Sequence, residues 1–120
     1  MYALRSLARQ WTKVASGEPP FFFPRDREVL KEHNVDCVMC GSYRQFTRSK
    51  YLLEDEDAIF ADLLPLPYIG DITRANIFLL QLNPGFGAHD YFGEREVPLV
   101  RSVLMRNLKQ QLADTPYPFP

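Results

Sequence analysis

The feature that most constrains this chain is the segment 77–87, IFLLQLNPGFG. Its first six residues are apolar except for Gln81, a pattern expected of an interior strand covered on both faces rather than of a half-exposed one. The run then stops on Asn83 and Pro84. Proline cannot donate to a strand ladder, and Gly85 and Gly87 accept turn angles that other residues resist. The expectation is a buried strand that empties into a tight loop. In open α/β sheets ligands sit beyond the carboxyl ends of the strands, so the stretch 83–91 is the expected edge of an active site.

The rest of the sequence supplies helices to cover such a strand. In residues 3–15, Leu4, Leu7, Ala8, Trp11, Val14 and Ala15 recur at three- and four-residue spacing and make one apolar face. Arg5, Arg9 and Lys13 lie four apart on another side, as on a surface helix packed by Trp11. Gly17, Pro19, Pro20 and Pro24 end that helix, and Phe21, Phe22 and Phe23 read as an anchor for the loop between them. Residues 26–33 suit a short helix closed by Asn34. A further helix is expected from about Asp55 to Leu64, its acids at the positive end of the helix dipole. Pro65 and Pro67 stop it. Residues 98–112 carry Val100, Val103, Leu104, Leu108 and Leu112 on one face behind a first-turn proline. Strand, loop and helix thus follow in the order of a βα unit. The expected class is α/β, three layers α/β/α around a mainly parallel sheet, incomplete within these 120 residues. The expected organisation is one α/β domain over 1–120, or the N-terminal part of a larger one, because the sequence stops at TPYPFP as another extended segment begins.

Hydrophobic residues make up 46% and charged residues 24%, which excludes a disordered chain. The net charge of -1 conceals an uneven distribution. Residues 1–50 hold nine Lys or Arg against five Asp or Glu, whereas residues 51–71 hold six acids and no base. A mildly basic first block is a weak sign of a phosphate-facing surface. The two cysteines, Cys37 and Cys40, cannot build a disulfide framework, and no secretory signal precedes them. The longest apolar run is too short for a bilayer, so the expectation is a cytoplasmic protein with reduced thiols and no membrane partner.

Residues 82–85, LNPG, leaving a hydrophobic strand, resemble the first active-site motif of the uracil-DNA glycosylase superfamily. The mismatch-specific and single-strand-selective branches carry the most similar forms, and FGAHDYFGE, residues 86–94, resembles the aromatic and glycine-rich continuation of the single-strand-selective branch. The resemblance implies hydrolysis of an N-glycosidic bond in DNA, with no cofactor and no metal. It implies that Asn83 positions the water that attacks C1′ of a flipped nucleotide. Pro84, Gly85 and Gly87 would shape the loop for close approach of its backbone to base or sugar. Phe86, Tyr91 and Phe92 would supply aromatic surface, with Phe86 or Tyr91 as the wall of the base pocket. Gln81 stands where the family usually has glycine, and the family's second motif, a late loop containing His or Asn, has no counterpart in the sequence.

Other constellations have plainer readings. Cys37-Val-Met-Cys40 has metal or redox spacing, but structural zinc normally takes four ligands and only His33 lies near in sequence. His89-Asp90 reads as surface, and Asp71 as the cap of a turn at Gly70. Asp62 and Asp71 are not brought together by any spacing. Arg44, Arg48 and Lys50, interleaved with Tyr43 and Tyr51, suit a solvated face or a phosphate contact. Residues 82–90 lack the Lys and Ser or Thr of a phosphate-binding P-loop. Three functions follow: base excision, nucleotide or nucleic-acid binding without cleavage, and an interaction fragment that meets itself or the rest of a longer chain.

Overall fold

The computed structural model describes residues 2–52, 58–80 and 87–112. It is a mixed α/β fold in which helices flank a small parallel sheet. The elements are α1 (Tyr2–Ala15), α2 (Pro24–Glu32), β1 (Asp36–Val38), α3 (Tyr43–Thr47), a 3₁₀ turn (Lys50–Leu52), β2 (Ala58–Phe60), α4 (Ala88–Glu96) and α5 (Pro98–Leu108).

Helix α1 forms where the apolar spacing puts it, and buries Ala8 and Ala15. Residues 16–23 leave it in extended and turn backbone. Phe21 is the anchor expected of the triple Phe: it is 6% exposed, and its N–H donates to Ala61 O at 2.7 Å. Phe23 packs edge-on against Trp11, with ring centroids 4.7 Å apart. Asn34 ends α2 as expected. It takes a left-handed φ of 55°, its N–H bonds to Lys31 O, and Val35 N–H reaches Leu30 O. These two bonds make a Schellman closure.

Strands β1 and β2 pair in parallel with Asp36 opposite Ala58, Cys37 opposite Ile59 and Val38 opposite Phe60. Strand residues alternate between faces, so Val38 and Phe60 share one and Cys37 and Ile59 the other. The first face is covered: Phe60 packs on Phe46 of α3 and Tyr91 of α4, at 5.5 and 5.9 Å. The second leaves Cys37 and Ile59 exposed. A separate aliphatic core joins Ala15, Phe21, Leu64, Leu104 and Leu108, with Trp11, Tyr68 and Val100 against it. It fixes α1 to α5.

Two expectations are corrected. The helix expected from Asp55 is replaced at its centre by strand β2; residues 53–57 lie outside the described residues. Ala58, Ile59 and Phe60 gain a parallel partner in β1, and that ladder overrides the weak helical pattern. The buried strand expected at 77–82 is not formed in its described part: residues 77–80 carry no strand ladder. Ile77, Phe78, Leu79 and Leu80 are 80, 52, 88 and 96% exposed. An apolar run specifies an interior strand only when neighbouring strands are present to cover it.

Candidate functional site

The carboxyl ends of both strands converge on one group of side chains. After β1 the chain continues through Cys40 and Gly41, and after β2 through Ala61 and Asp62. Asp62 is 2% exposed. Its Oδ2 accepts from Gly41 N–H at 2.7 Å and from the Tyr91 hydroxyl at 2.7 Å, and pairs with Arg95 at 2.8 Å. Arg95 also donates to the Asp62 backbone carbonyl at 2.7 Å. A buried carboxylate is tolerated only with such partners, because an uncompensated charge costs several kcal/mol, roughly 3–5 on loss of one partner. Among the described residues Asp62 Oδ1 and Arg95 Nε have no hydrogen-bond partner.

A second carboxylate stands one residue from Arg95. Glu94 is 6% exposed, accepts from Leu64 N–H at 2.7 Å and pairs with Arg101 at 2.9 Å. Burial raises the pKa of Glu94, and the Leu64 bond and Arg101 oppose it. Tyr91 is also pushed up, first by burial and then by its bond to Asp62, so its proton stays on the phenol and is donated to the carboxylate. Burial, then the charge of Asp62, raises Cys40 as well. Its thiol is held away from the reactive thiolate form.

Helix α4 carries Tyr91, Glu94 and Arg95 into this group. It starts at the Gly87 cap, where Asp90 reaches back to accept from Gly87 N–H at 2.8 Å. The LNPG motif therefore directly precedes, in sequence, a helix bolted to the carboxyl ends of the sheet. Asn83, Pro84, Gly85, Phe86 and Gln81 themselves lie outside the described residues.

Of the described site residues, Gly87 caps α4, and a Cβ there would stand 2.6 Å from the His89 ring. Tyr91 is 0% exposed and stacks on Phe46 at 4.5 Å with 6° between the rings. That ring belongs to the core and offers no face to a ligand. Phe92 points the other way, 44% exposed, in edge contact with Tyr43 at 5.1 Å. His89 and Asp90 lie at the surface, 3.4 Å apart. Asp71 holds the 71–74 turn through Thr73 and Arg74, chiefly the Thr73 hydroxyl, and its pKa falls to about 2. Cys37 is exposed and Cys40 half-buried, and among the described residues no group of three or more His, Cys, Asp or Glu could hold a metal. No helix among them is long and apolar enough to cross a membrane.

Asp62, Glu94 and Arg95 were not legible as a unit. Glu94 and Arg95 lie 32 and 33 residues beyond Asp62 in sequence, and the packing of α4 against the end of β2 brings them together. Comparison with protein-family models, curated proteins and solved structures gives no match.

Proposed function

We propose that this chain acts on nucleic acid as a base-excision glycosylase, with Asn83 orienting the attacking water. The reading rests on the resemblance of residues 82–85 to the glycosylase motif. The observation that supports it is the helix that follows. Residues 83–86 lead in sequence to Gly87, the cap of α4, and Tyr91 ties α4 to Asp62 at the carboxyl end of the parallel strands, the side where α/β folds bind ligands.

In this chemistry a water oxygen bonds to C1′ as the C1′–N bond breaks. The bonding pair leaves with the base, and the water proton ends on the departing base or in solvent. The Asn83 side-chain oxygen would accept a hydrogen bond from the water and so fix its direction. An amide is too weak a base to do more. Of the aromatic residues the resemblance singles out, Phe92 has open surface for stacking, beside Tyr43, and Phe86 is the second candidate. Binding without cleavage is the other reading, favoured by Gln81 in the position where glycosylases usually have glycine.

An excision assay on single- and double-stranded DNA containing uracil tests the proposal. Release of base by the wild type and a loss of about 100-fold or more in Asn83→Ala, with DNA affinity kept, is the expected result. Binding without release moves the chain to the second reading. Neither release nor binding ends both.

A further inference from the structure

We infer that the cleft between α1 and the end of α5 is a phosphate-binding site that takes the backbone of a nucleic-acid strand. The cleft has a volume of about 490 Å³. Arg5 and Arg9 line it from α1 and Lys109 from α5, with Thr12, Thr73 and Gln111 between them and no acidic residue. The three cations form no ion pair among the described residues. Arg5 and Arg9 are one helical turn apart, so their side chains rise side by side.

A simpler role for these cations would be to neutralise the carbonyls at the end of α5. Those carbonyls are already occupied. Met105 O accepts from Lys109 N–H, Arg106 O from Gln111 N–H and Asn107 O from Gln110 N–H. Leu108 O accepts from the Thr12 hydroxyl at 3.0 Å and the Tyr68 hydroxyl at 2.9 Å. The charges therefore face the open cleft, where they repel one another until an anion enters.

The floor is rigid. Gln110, at φ 56°, spends its side chain on Ile72 N–H, Gly70 O and Asn107 O. Thr12 pins α1 to α5 across it. Three donors spread along an open cleft suit successive phosphates better than one enclosed phosphate. The Thr12 and Thr73 hydroxyls already donate to Leu108 O and to Asp71, which leaves the Gln111 side-chain amide as the neutral donor suited to phosphate and sugar oxygens. The site does not depend on the role given to Asn83.

The test is fluorescence anisotropy of a labelled sixteen-residue thymidine oligonucleotide across a salt series. Three proteins are compared: wild type, Arg5→Gln/Arg9→Gln/Lys109→Gln, and Lys13→Gln/Arg25→Gln/Lys31→Gln, which changes the net charge equally outside the cleft. The cleft variant is expected to bind about tenfold more weakly at low salt. Its log-log salt slope should shrink by about 2, since each single-strand phosphate contributes about 0.7. The control should keep most of both, and all three should melt alike in circular dichroism. Displacement by thymidine monophosphate or inorganic phosphate at equal phosphate concentration keeps the site and names a free nucleotide or phosphate as its ligand. Equal losses in the two variants, or no binding of any of the three probes, overturns the inference. Asn83→Ala should leave the salt slope unchanged, so failure of the excision chemistry and failure of the cleft are separate results.

Discussion

At the level of single residues, Asp62 organises the site more than any residue of the motif. Its Oδ2 is the common acceptor for the backbone after β1, for α4 through Tyr91 and for Arg95. Asp62→Asn tests charge apart from shape. The amide oxygen can take over the two neutral bonds, and the amide nitrogen replaces the oxygen that has no partner among the described residues. What is lost is the negative charge opposite Arg95, which is 22% exposed at its side chain. The expected loss is about 3 kcal/mol, the low end of the range for breaking a buried pair, because Arg95 keeps some water. A urea titration checks it: the midpoint should fall at constant slope. Adding Arg95→Met should restore part of the loss, as the isolated charge is then removed. Nothing in the local sequence marks this residue. One aspartate among six acids between residues 51 and 71 looks like any other until β2 exists.

At the level of elements, what could be read and what could not divide along the source of the stabilisation. Helices α1, α2 and α5 carry their own apolar faces or end signals, and Asn34 closes α2 where expected. Strand β2 and residues 77–80 depend on partners elsewhere in the chain, which a local pattern does not carry. Helix α4 shows no helical apolar stripe in sequence, because Tyr91 faces inward and its neighbour Phe92 outward, so it lies within a stretch whose pattern suits a loop. The end of α5 holds a further surprise. A Schellman closure wants glycine at the left-handed position, and Gln110 occupies it. Replacing Gln110 by Gly would relieve about 1 kcal/mol of left-handed strain. It would also remove three side-chain hydrogen bonds, worth about 1 kcal/mol each, and leave the N–H of buried Ile72 without its partner. The losses exceed the gain, so Gln110→Gly should destabilise by about 2 kcal/mol, measured by thermal or chemical unfolding. A neutral or stabilised variant would show that the 70–72 turn does not need this side chain.

At the level of the whole molecule, the fold sorts the charges rather than averaging them. Acids Asp62 and Glu94 are consumed inside, each with an arginine, while Arg5, Arg9 and Lys109 gather on the outside between the first and last helices. That cleft exists only while α1 is docked on α5. The docking is carried by Trp11 and Val14 against the aliphatic core and by the Thr12 bond to Leu108. Trp11 is the one tryptophan of the chain, so its emission reports α1 directly. A ligand that binds the folded form alone raises stability by mass action, about 2.7 kcal/mol at a concentration one hundred times its dissociation constant. Oligonucleotide at low salt should therefore raise the midpoint of the Trp11-monitored melt. The rise should vanish at high salt, as counterion release no longer favours binding. Trp11→Phe, followed by circular dichroism, should keep the rise because the edge contact with Phe23 needs only an aromatic ring. Trp11→Ala should lose about 3 kcal/mol of stability, as large-to-small changes at packed aromatic sites do. It should also bind oligonucleotide more weakly, since the two arginines of α1 are then no longer held opposite Lys109. If Trp11→Ala bound with unchanged affinity and salt slope, the anion would have to be held without α1, and the cleft would not be its site.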